Sequence, residues 1–336
     1  MKEGIALGKI RFYVQNKFPD LYKSVWRITE KYRKFRNRAR KISYGNLNKD
    51  KTVYVIRIRK ETLGLMGYYM AILGHIHVAG SKGYVPVIDM KNYKNTYLKK
   101  EEVGTINSWE YYFRQPADIS LDDAYKSKNV ILSSLESPME ADPRLFYYNI
   151  YTKCDMSAYY KIVENAMSFN EKTKKILNDA YDSIMKKSLD GGVIGVVSRG
   201  TDLLGFPGHS IQPTTEELMN ETEKIMKKYN CKYIFLASDT DKAVNEFRNR
   251  FGSEYILTNN CKRYDNCDSN GAKVLSEVHF ERENDEYLKG IEYLTTMWCL
   301  SNCDVLFGSL VGATIAALCM NKGKYKHVEI YDKGVY

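Results

Sequence analysis

The stretch that decides the fold is VIGVVSRGTD, residues 193–202. Its first five residues are all apolar or glycine, which is typical of a parallel strand buried on both faces. Two later stretches also place a turn directly after an apolar run: YIFLASDTD at 233–241 and DVLFGSLVGAT at 304–314. Ligands of open α/β sheets bind beyond the carboxyl ends of the strands. We therefore expect the three turns, at 198–202, 238–241 and 308–314, to converge on one edge of one sheet.

The first turn has the residue types of a phosphate site. Arg199 carries a planar guanidinium that can bind two phosphate oxygens at once, and Gly200 beside it lets a ligand approach the backbone. Asp202 would orient the arginine or bind a polar group of the ligand. An Arg–Asp pair that only stabilises the loop explains the composition equally well.

The second turn, Ser238-Asp239-Thr240-Asp241, has two interpretations. Two aspartates one residue apart after a strand can hold a divalent metal beside a nucleotide. Alternatively, Ser238 or Asp239 caps a helix predicted over 241–251. We favour the cap, and we expect no bound metal. Cys261 and Cys267 lie close in sequence but lack further ligands at zinc spacing, and the seven cysteines include no CxxC pair, so we expect reduced thiols.

The third turn contains Ser309, Gly312 and Thr314. Glycine-containing turns between a strand and a helix place backbone N–H groups against phosphates. The sequence is neither a Walker A loop nor GxGxxG, so a dinucleotide cofactor has no support. A Gly- and Pro-rich loop at 205–213 includes His209, a residue type that is more often structural than catalytic in such a position. A helix should follow, opened by a capping box of Thr214 and Glu217.

The remaining sequence predicts a second α/β unit. Strand patterns at 53–58 and 84–89 flank a helical pattern at 68–79, which is the order of a βαβ unit. A short strand is expected at 130–132, a helical region at 157–187 and a break at 191–192. We therefore expect an α/β fold of two Rossmann-like domains facing a cleft. The predicted divisions are a basic helical segment at 1–41, a first domain at 42–190 and a second at 191–336.

The charge is concentrated at one end. Residues 1–41 hold 13 Lys or Arg and 3 Asp or Glu, whereas residues 42–336 hold 38 of each class. A balanced body argues against a nucleic-acid-binding protein. The basic segment, expected to be helical from residue 5 with a break at Pro19, is either a peripheral anchor on anionic lipid or a solvated helix packed by its aromatic side. No apolar run is long enough for a membrane span and no signal peptide is evident, so a cytoplasmic protein is expected.

Taken in order, these pieces resemble the superfamily of fucosyltransferases that use GDP-fucose. It includes the α-1,6- and nodulation-type, the α-1,2- and the protein O-fucosyltransferases. The resemblance covers about residues 50–332 and fits a bacterial member. The matching segments are VSRGTD at 197–202, GHSIQP at 208–213, IFLASD at 234–239, the run from 292 to 313, and PVID at 86–89 with NSWEYYF at 107–113.

The resemblance implies a GT-B fold, with the acceptor on the first domain and the nucleotide sugar on the second. It also implies an inverting transfer without a metal, in which Arg199 stabilises charge on the departing GDP. Arg199 and Asp202 would be catalytic, and Trp109 and Glu110 would lie on the acceptor side. The implied donor-binding residues are Arg199, Gly200, His209, Ser238, Asp239, Ser309, Gly312 and Thr314.

The expected function is transfer of fucose from GDP-fucose to a glycan hydroxyl in the synthesis of a surface polysaccharide or oligosaccharide. No cofactor is expected, and the partners would be the nucleotide sugar and a free or lipid-linked glycan. Residues 203–208 contain no acid where α-1,6 members carry a glutamate, so the catalytic base is unassigned. Two alternatives stay open: a glycosyltransferase for another nucleotide sugar, and an inactive module that binds a nucleotide or sugar.

Overall fold

A computed structural model describes residues 17–136, 141, 156–188, 190–199, 209–264 and 275–336. The first half of the chain forms a four-stranded sheet with helices on both faces. Its elements are α1 (Pro19–Asn37), β1 (Arg40–Ile42), β2 (Val53–Arg57), α2 (Leu65–Ser81), β3 (Val85–Asp89), α3 (Leu121–Ala124) and β4 (Val130–Leu132).

The first sheet has the strand order β1-β4-β2-β3. β2 pairs in parallel with both β3 and β4, and the edge strand β1 pairs antiparallel with β4. The predicted βαβ unit is confirmed: α2 leads from β2 to β3. This helix is buried along most of its length, because its residues are apolar all round rather than on one stripe.

The second half forms a fully parallel sheet. Two helices, α4 (Ser157–Ala166) and α5 (Glu171–Met185), lead into it. Its elements are β5 (Gly192–Ser198), α6 (Thr215–Tyr229), β6 (Cys231–Ser238), α7 (Asp241–Phe251), β7 (Ile256–Leu257), α8 (Asp285–Ser301), β8 (Val305–Ser309), α9 (Gly312–Asn321) and β9 (His327–Tyr331). The order is β7-β6-β5-β8-β9. The α/β class with two Rossmann-like sheets is therefore confirmed.

The centre of the second sheet is packed closely. A Cβ on Gly195 of β5 would lie 2.6 Å from Leu300 Cδ1 of α8, so only glycine fits between strand and helix. The predicted capping box is also present, since Thr214 accepts from the Glu217 amide while the Glu217 side chain accepts from the Thr214 amide.

Aromatic side chains join the two halves. Tyr112 of the first half stacks on Tyr287 of α8 with an interplanar angle of 6°, and its hydroxyl donates to the Tyr287 carbonyl at 3.0 Å. A second set forms an aromatic column of Trp109, Phe113, Phe169 and Trp298, whose successive ring centroids are 4.1, 5.1 and 5.7 Å apart. The column runs from the loop after β3 to α8.

Several sequence expectations need correction. The chain is not helical through residue 41, because residues 40–42 pair with β4. The expected break near Pro19 is present, since Lys17 is helical, Phe18 is not, and Pro19 begins α1. The part of the predicted N-terminal helix that precedes residue 17 lies outside the described residues. The helical region at 157–187 is interrupted at 167–170, where Asn170 caps α5. The expected strand at 254–257 is shorter, at Ile256–Leu257.

The division at residue 190 stays a prediction. α5 packs on α8, and α4 packs on both α2 and α9, so these two helices contact both halves of the molecule. Within the described ranges, none of the helices has both the length and the apolar character needed to cross a membrane.

Candidate active site

The three turns that follow β5, β6 and β8 converge, as predicted. These strands are neighbours and run in parallel, and their registers pair Ser198 with Ser238 and Val197 with Gly308. The residues beyond these positions therefore leave the sheet side by side at one edge. We call this the second-sheet edge.

Arg199 and Asp239 form an ion pair at the second-sheet edge, with Arg199 Nε 3.6 Å from Asp239 Oδ2. The arginine side chain is 25% exposed and the aspartate side chain 8%. The Tyr264 amide donates to the Asp239 carbonyl at 2.8 Å, so the segment after β7 that contains Tyr264 lies beside the ion pair. Burial raises the pKa of the Tyr264 hydroxyl, and the nearby Arg199 charge partly opposes that rise. Gly200 and Asp202 lie outside the described residues.

The N-terminus of α9 lies at the same edge. Its N-cap, Val311, offers no side-chain acceptor, so the first-turn N–H groups have no cap. Among the described residues, a Cβ built on Gly312 would have no atom within 4 Å, so there is open space beside the first turn of α9. A Cβ on Gly308, by contrast, would meet Val197 at 2.8 Å. The geometry therefore combines a cation with a helix N-terminus, a combination that suits a phosphate or diphosphate.

Two residues predicted to bind the donor are fully buried. The Ser309 hydroxyl donates to Gln212 Oε1 at 2.6 Å. Thr314 is also buried, and its hydroxyl has no hydrogen-bond partner among the described residues. Both side chains are therefore enclosed within the fold rather than exposed at the second-sheet edge.

The loop containing His209 is hydrogen-bonded to residues 334–336, which follow β9. The Tyr336 amide donates to the His209 carbonyl at 3.0 Å, and the Ile211 amide donates to the Gly334 carbonyl at 3.0 Å. The Ser210 hydroxyl donates to the Leu310 carbonyl, just before α9. His209 is half-buried, and the loop holds it beside the second-sheet edge.

The second turn has a different capping residue from the one predicted. Thr240, and neither Ser238 nor Asp239, caps α7 by accepting from the Ala243 amide. Ser238 accepts from the Thr240 amide at 3.2 Å, which shapes the turn. Asp241 begins α7, as expected, and pairs with Arg263 Nη1 at 3.1 Å. Within the described ranges, no group of three or more His, Cys, Asp or Glu side chains is placed to hold a metal ion.

Sequence analysis missed a charged network on one face of α8. Arg282 forms a fork on Glu292, with Nη2 donating at 3.0 Å, and its Nε donates to Asp285 at 2.7 Å. Lys289 lies 3.5 Å from Asp285, and burial lowers the lysine pKa. Positions 285, 289 and 292 share one face of α8. That spacing of charges in an otherwise apolar helix was the available signal.

The two predicted acceptor residues differ in exposure. Trp109 is buried, with its ring stacked on Phe113 and its Nε1 donating to the Arg114 carbonyl at 3.0 Å. It is a core residue with no ring face exposed to a sugar. Glu110 is exposed, and its carboxylate accepts from Asn107 at 3.1 Å and from Gln115 at 2.7 Å.

The first sheet also ends in an Arg–Asp pair of residues, because Arg57 and Asp89 are register partners in β2 and β3. Asp89 is 1% exposed and accepts four hydrogen bonds, two of them from backbone amides and one from the Tyr125 hydroxyl at 2.6 Å. Burial and the Asp89 carboxylate raise the pKa of Tyr125. Arg57 is 8% exposed and donates to the Ser133 carbonyl and to Tyr93.

No protein-family model and no curated protein sequence matches this chain. Solved structures of fucosyltransferases are similar to it. NodZ α-1,6-fucosyltransferase soaked with GDP-fucose is 14% identical, covers 80% of this chain and 93% of its own, and gives a TM-score of 0.47. POFUT1 in complex with GDP is 10% identical, with coverage of 84% and 99% and a TM-score of 0.47. An Arabidopsis thaliana FUT1 variant with GDP is 12% identical, with coverage of 84% and 71% and a TM-score of 0.43.

Proposed function

We propose that this chain is a glycosyltransferase that transfers fucose from GDP-fucose to a hydroxyl of a glycan. The observation that carries the proposal is the second-sheet edge, where Arg199, paired with Asp239, and the uncapped N-terminus of α9 converge. Both features favour bound negative charge, and the diphosphate of a nucleotide sugar supplies it. The ordered motifs of the sequence point to fucose as the sugar.

In the proposed reaction, the acceptor hydroxyl attacks the anomeric carbon in line with the departing diphosphate, inverting that centre. Its proton passes to a general base as the new C–O bond forms. The C–O bond to the β-phosphate breaks, and its electron pair leaves with GDP. Arg199 and the amides at Gly312 lower the barrier because negative charge on the leaving group grows in the transition state. These groups are fixed before reaction, so a metal ion is not needed for this role.

Acceptor recognition is assigned to the first half of the chain. Its loops face the second half closely: Lys99 donates to Asn284 at 3.2 Å, and Ser276 donates to the Thr62 carbonyl at 2.7 Å. A glycan held between these halves would place its hydroxyl near the second-sheet edge. We propose a glycan of a surface polysaccharide or oligosaccharide as this acceptor.

The test begins with thermal shifts of the full chain in GDP, UDP, CMP and their sugar derivatives. A ligand at about 100 times its Kd adds about 2.7 kcal/mol to the free energy of unfolding, so a specific nucleotide is readily seen. GDP should stabilise the protein more than UDP or CMP, and labelled GDP-fucose should release GDP slowly without acceptor. Stabilisation by another nucleotide would change the donor. Binding of GDP-fucose with no turnover on any glycan would favour an inactive binding module.

A further inference from the structure

Helix α1 carries an exposed apolar stripe. Val25, Ile28, Tyr32 and Phe35 are 51%, 69%, 63% and 62% exposed. They follow each other at spacings of three, four and three residues, which places them on one side of the helix. Tyr32 and Phe35 are thus exposed on this side of the helix. Four large apolar side chains on one exposed face need a partner to cover them.

The surroundings of the stripe are strongly basic. Residues 17–41 contain ten Lys or Arg and two Asp or Glu. Lys31 and Arg33 are exposed on either side of Tyr32, and the Arg38 guanidinium lies 3.7 Å from the centre of the Phe35 ring. An apolar face with flanking cations matches the interface of an anionic bilayer, where apolar side chains enter the acyl boundary and cations stay at the headgroups.

A second copy of the chain fits this helix less well. The spacing of the stripe is that of a coiled-coil seam, with Val25 and Tyr32 at one seam position and Ile28 and Phe35 at the other. A parallel pair would then place Lys31 of one helix beside Arg36 of the other, so like charges would oppose the seam. The excess of positive charge favours an anionic partner instead.

The attachment of α1 determines what a bilayer would face. The C-terminal end of the helix is fixed to the residues just after β4: Asn37 donates to Glu136 at 3.0 Å, and Arg33 lies 3.3 Å from the same carboxylate. The Leu135 amide also donates to the Asn37 carbonyl at 2.9 Å. Glu136 lies beyond the carboxyl end of β4, at the edge of the first sheet where its parallel strands end. A bilayer bound to α1 would therefore start beside that edge.

We propose that α1 docks on an anionic lipid surface and holds the carboxyl-end edge of the first sheet next to it. The lipid contact stands on the helix alone. Its use, to bring the enzyme to a lipid-borne glycan acceptor, rests on the proposed function. The two parts fail separately, because vesicle binding is measured without a nucleotide sugar and release of GDP from GDP-fucose is measured without vesicles.

The experiment is flotation of the full chain with phosphatidylcholine vesicles, with and without phosphatidylglycerol. We expect binding only when phosphatidylglycerol is present. The double substitution Ile28→Asp/Phe35→Asp should weaken it by more than about 100-fold, since each side chain loses apolar burial. Arg27→Gln/Lys31→Gln should weaken it by about 30-fold, at roughly fivefold for each cation. The matched control is Leu47→Asp/Ile106→Asp, which changes exposed apolar residues elsewhere and should bind as the unaltered chain does.

Three outcomes would overturn the proposal. They are equal binding to both vesicle types, equal loss in the control pair, and a stable dimer in sedimentation velocity that Ile28→Asp/Phe35→Asp dissociates. All four substituted residues of the two test variants are exposed, so the variants should keep the melting temperature of the unaltered chain. Unchanged melting separates a lost lipid contact from unfolding.

Discussion

At the carboxyl end of the first sheet, Arg57 of β2 stands opposite Asp89 of β3; beyond the same end of the second sheet, Arg199 pairs with Asp239. The residue types and their places after neighbouring parallel strands are the same. Their surroundings differ, because Asp89 accepts four hydrogen bonds and Arg57 is 8% exposed, whereas Arg199 is 25% exposed beside the open space at Gly312. The first pair holds a loop, and the second is the pair that we propose binds a ligand.

The comparison teaches that the pattern alone does not assign a role. A buried carboxylate whose oxygens are already satisfied has little left to offer a ligand, and removing it leaves several donors unpaired. A partly exposed arginine at a helix N-terminus can bind an anion at little cost to the fold. Substitutions at the two edges should therefore separate activity from stability.

The largest expected effect is on catalysis at the second-sheet edge. Arg199→Ala should lower kcat/KM by about 10²–10⁴, because its charge acts on the developing negative charge of the leaving group. Arg199→Lys should recover only part of this, since a point charge cannot reproduce the fork. The melting temperature should change little. Near-normal turnover in the alanine variant would make Arg199 a loop residue like Arg57.

The next effect is on stability at the first-sheet edge. Asp89→Ala removes the acceptor for four donors and should lower the free energy of unfolding by about 3 kcal/mol, measured by urea denaturation. Asp89→Asn keeps one carboxamide oxygen and should cost less. Release of GDP from GDP-fucose by the folded fraction should stay normal. A stable Asp89→Ala protein with lost activity would move this edge into the site.

A smaller effect tests the space in front of α9. Gly312→Ala should weaken GDP binding by about tenfold, or about 1.4 kcal/mol, because the added methyl group enters the volume assigned to the diphosphate. Calorimetric titration with GDP measures it. Gly80→Ala is the control, since a Cβ there also meets no atom within 4 Å but lies in α2, away from this edge. Both variants should melt at or slightly above the original temperature. Equal GDP affinity in both would remove the α9 N-terminus from the donor site.

The smallest expected effect is that of a chelator. With Asp241 engaged by Arg263 and charge stabilisation assigned to Arg199, EDTA should leave kcat/KM unchanged within about twofold. Activity that EDTA abolishes and manganese restores would assign a metal to the Asp239–Asp241 turn. It would also contradict the charge argument.

Much of this architecture could be predicted from the sequence because buried parallel strands are continuous apolar runs. The apolar runs at 193–197, 233–237 and 304–308 predicted three strands of one sheet and the convergence of the turns that follow them. Tertiary contacts escaped prediction. The partner that the structure gives Arg199 is Asp239 on another strand, 40 positions along the chain. The family resemblance placed Trp109 on the acceptor side, yet it stacks in the core. The network around Arg282 could not be predicted, because the sequence does not show that Arg282 folds back onto Asp285 and Glu292 of α8.

The aromatic column from Trp109 to Trp298 has an optical consequence. It begins in the loop after β3 and ends on α8, with Phe113 and Phe169 between the two indoles. Near-ultraviolet circular dichroism depends on fixed aromatic packing. A change in the angle between the two halves would disturb the Phe169–Trp298 contact and alter that signal while the far-ultraviolet spectrum stayed constant. These four rings would thus report such a change in angle without a label.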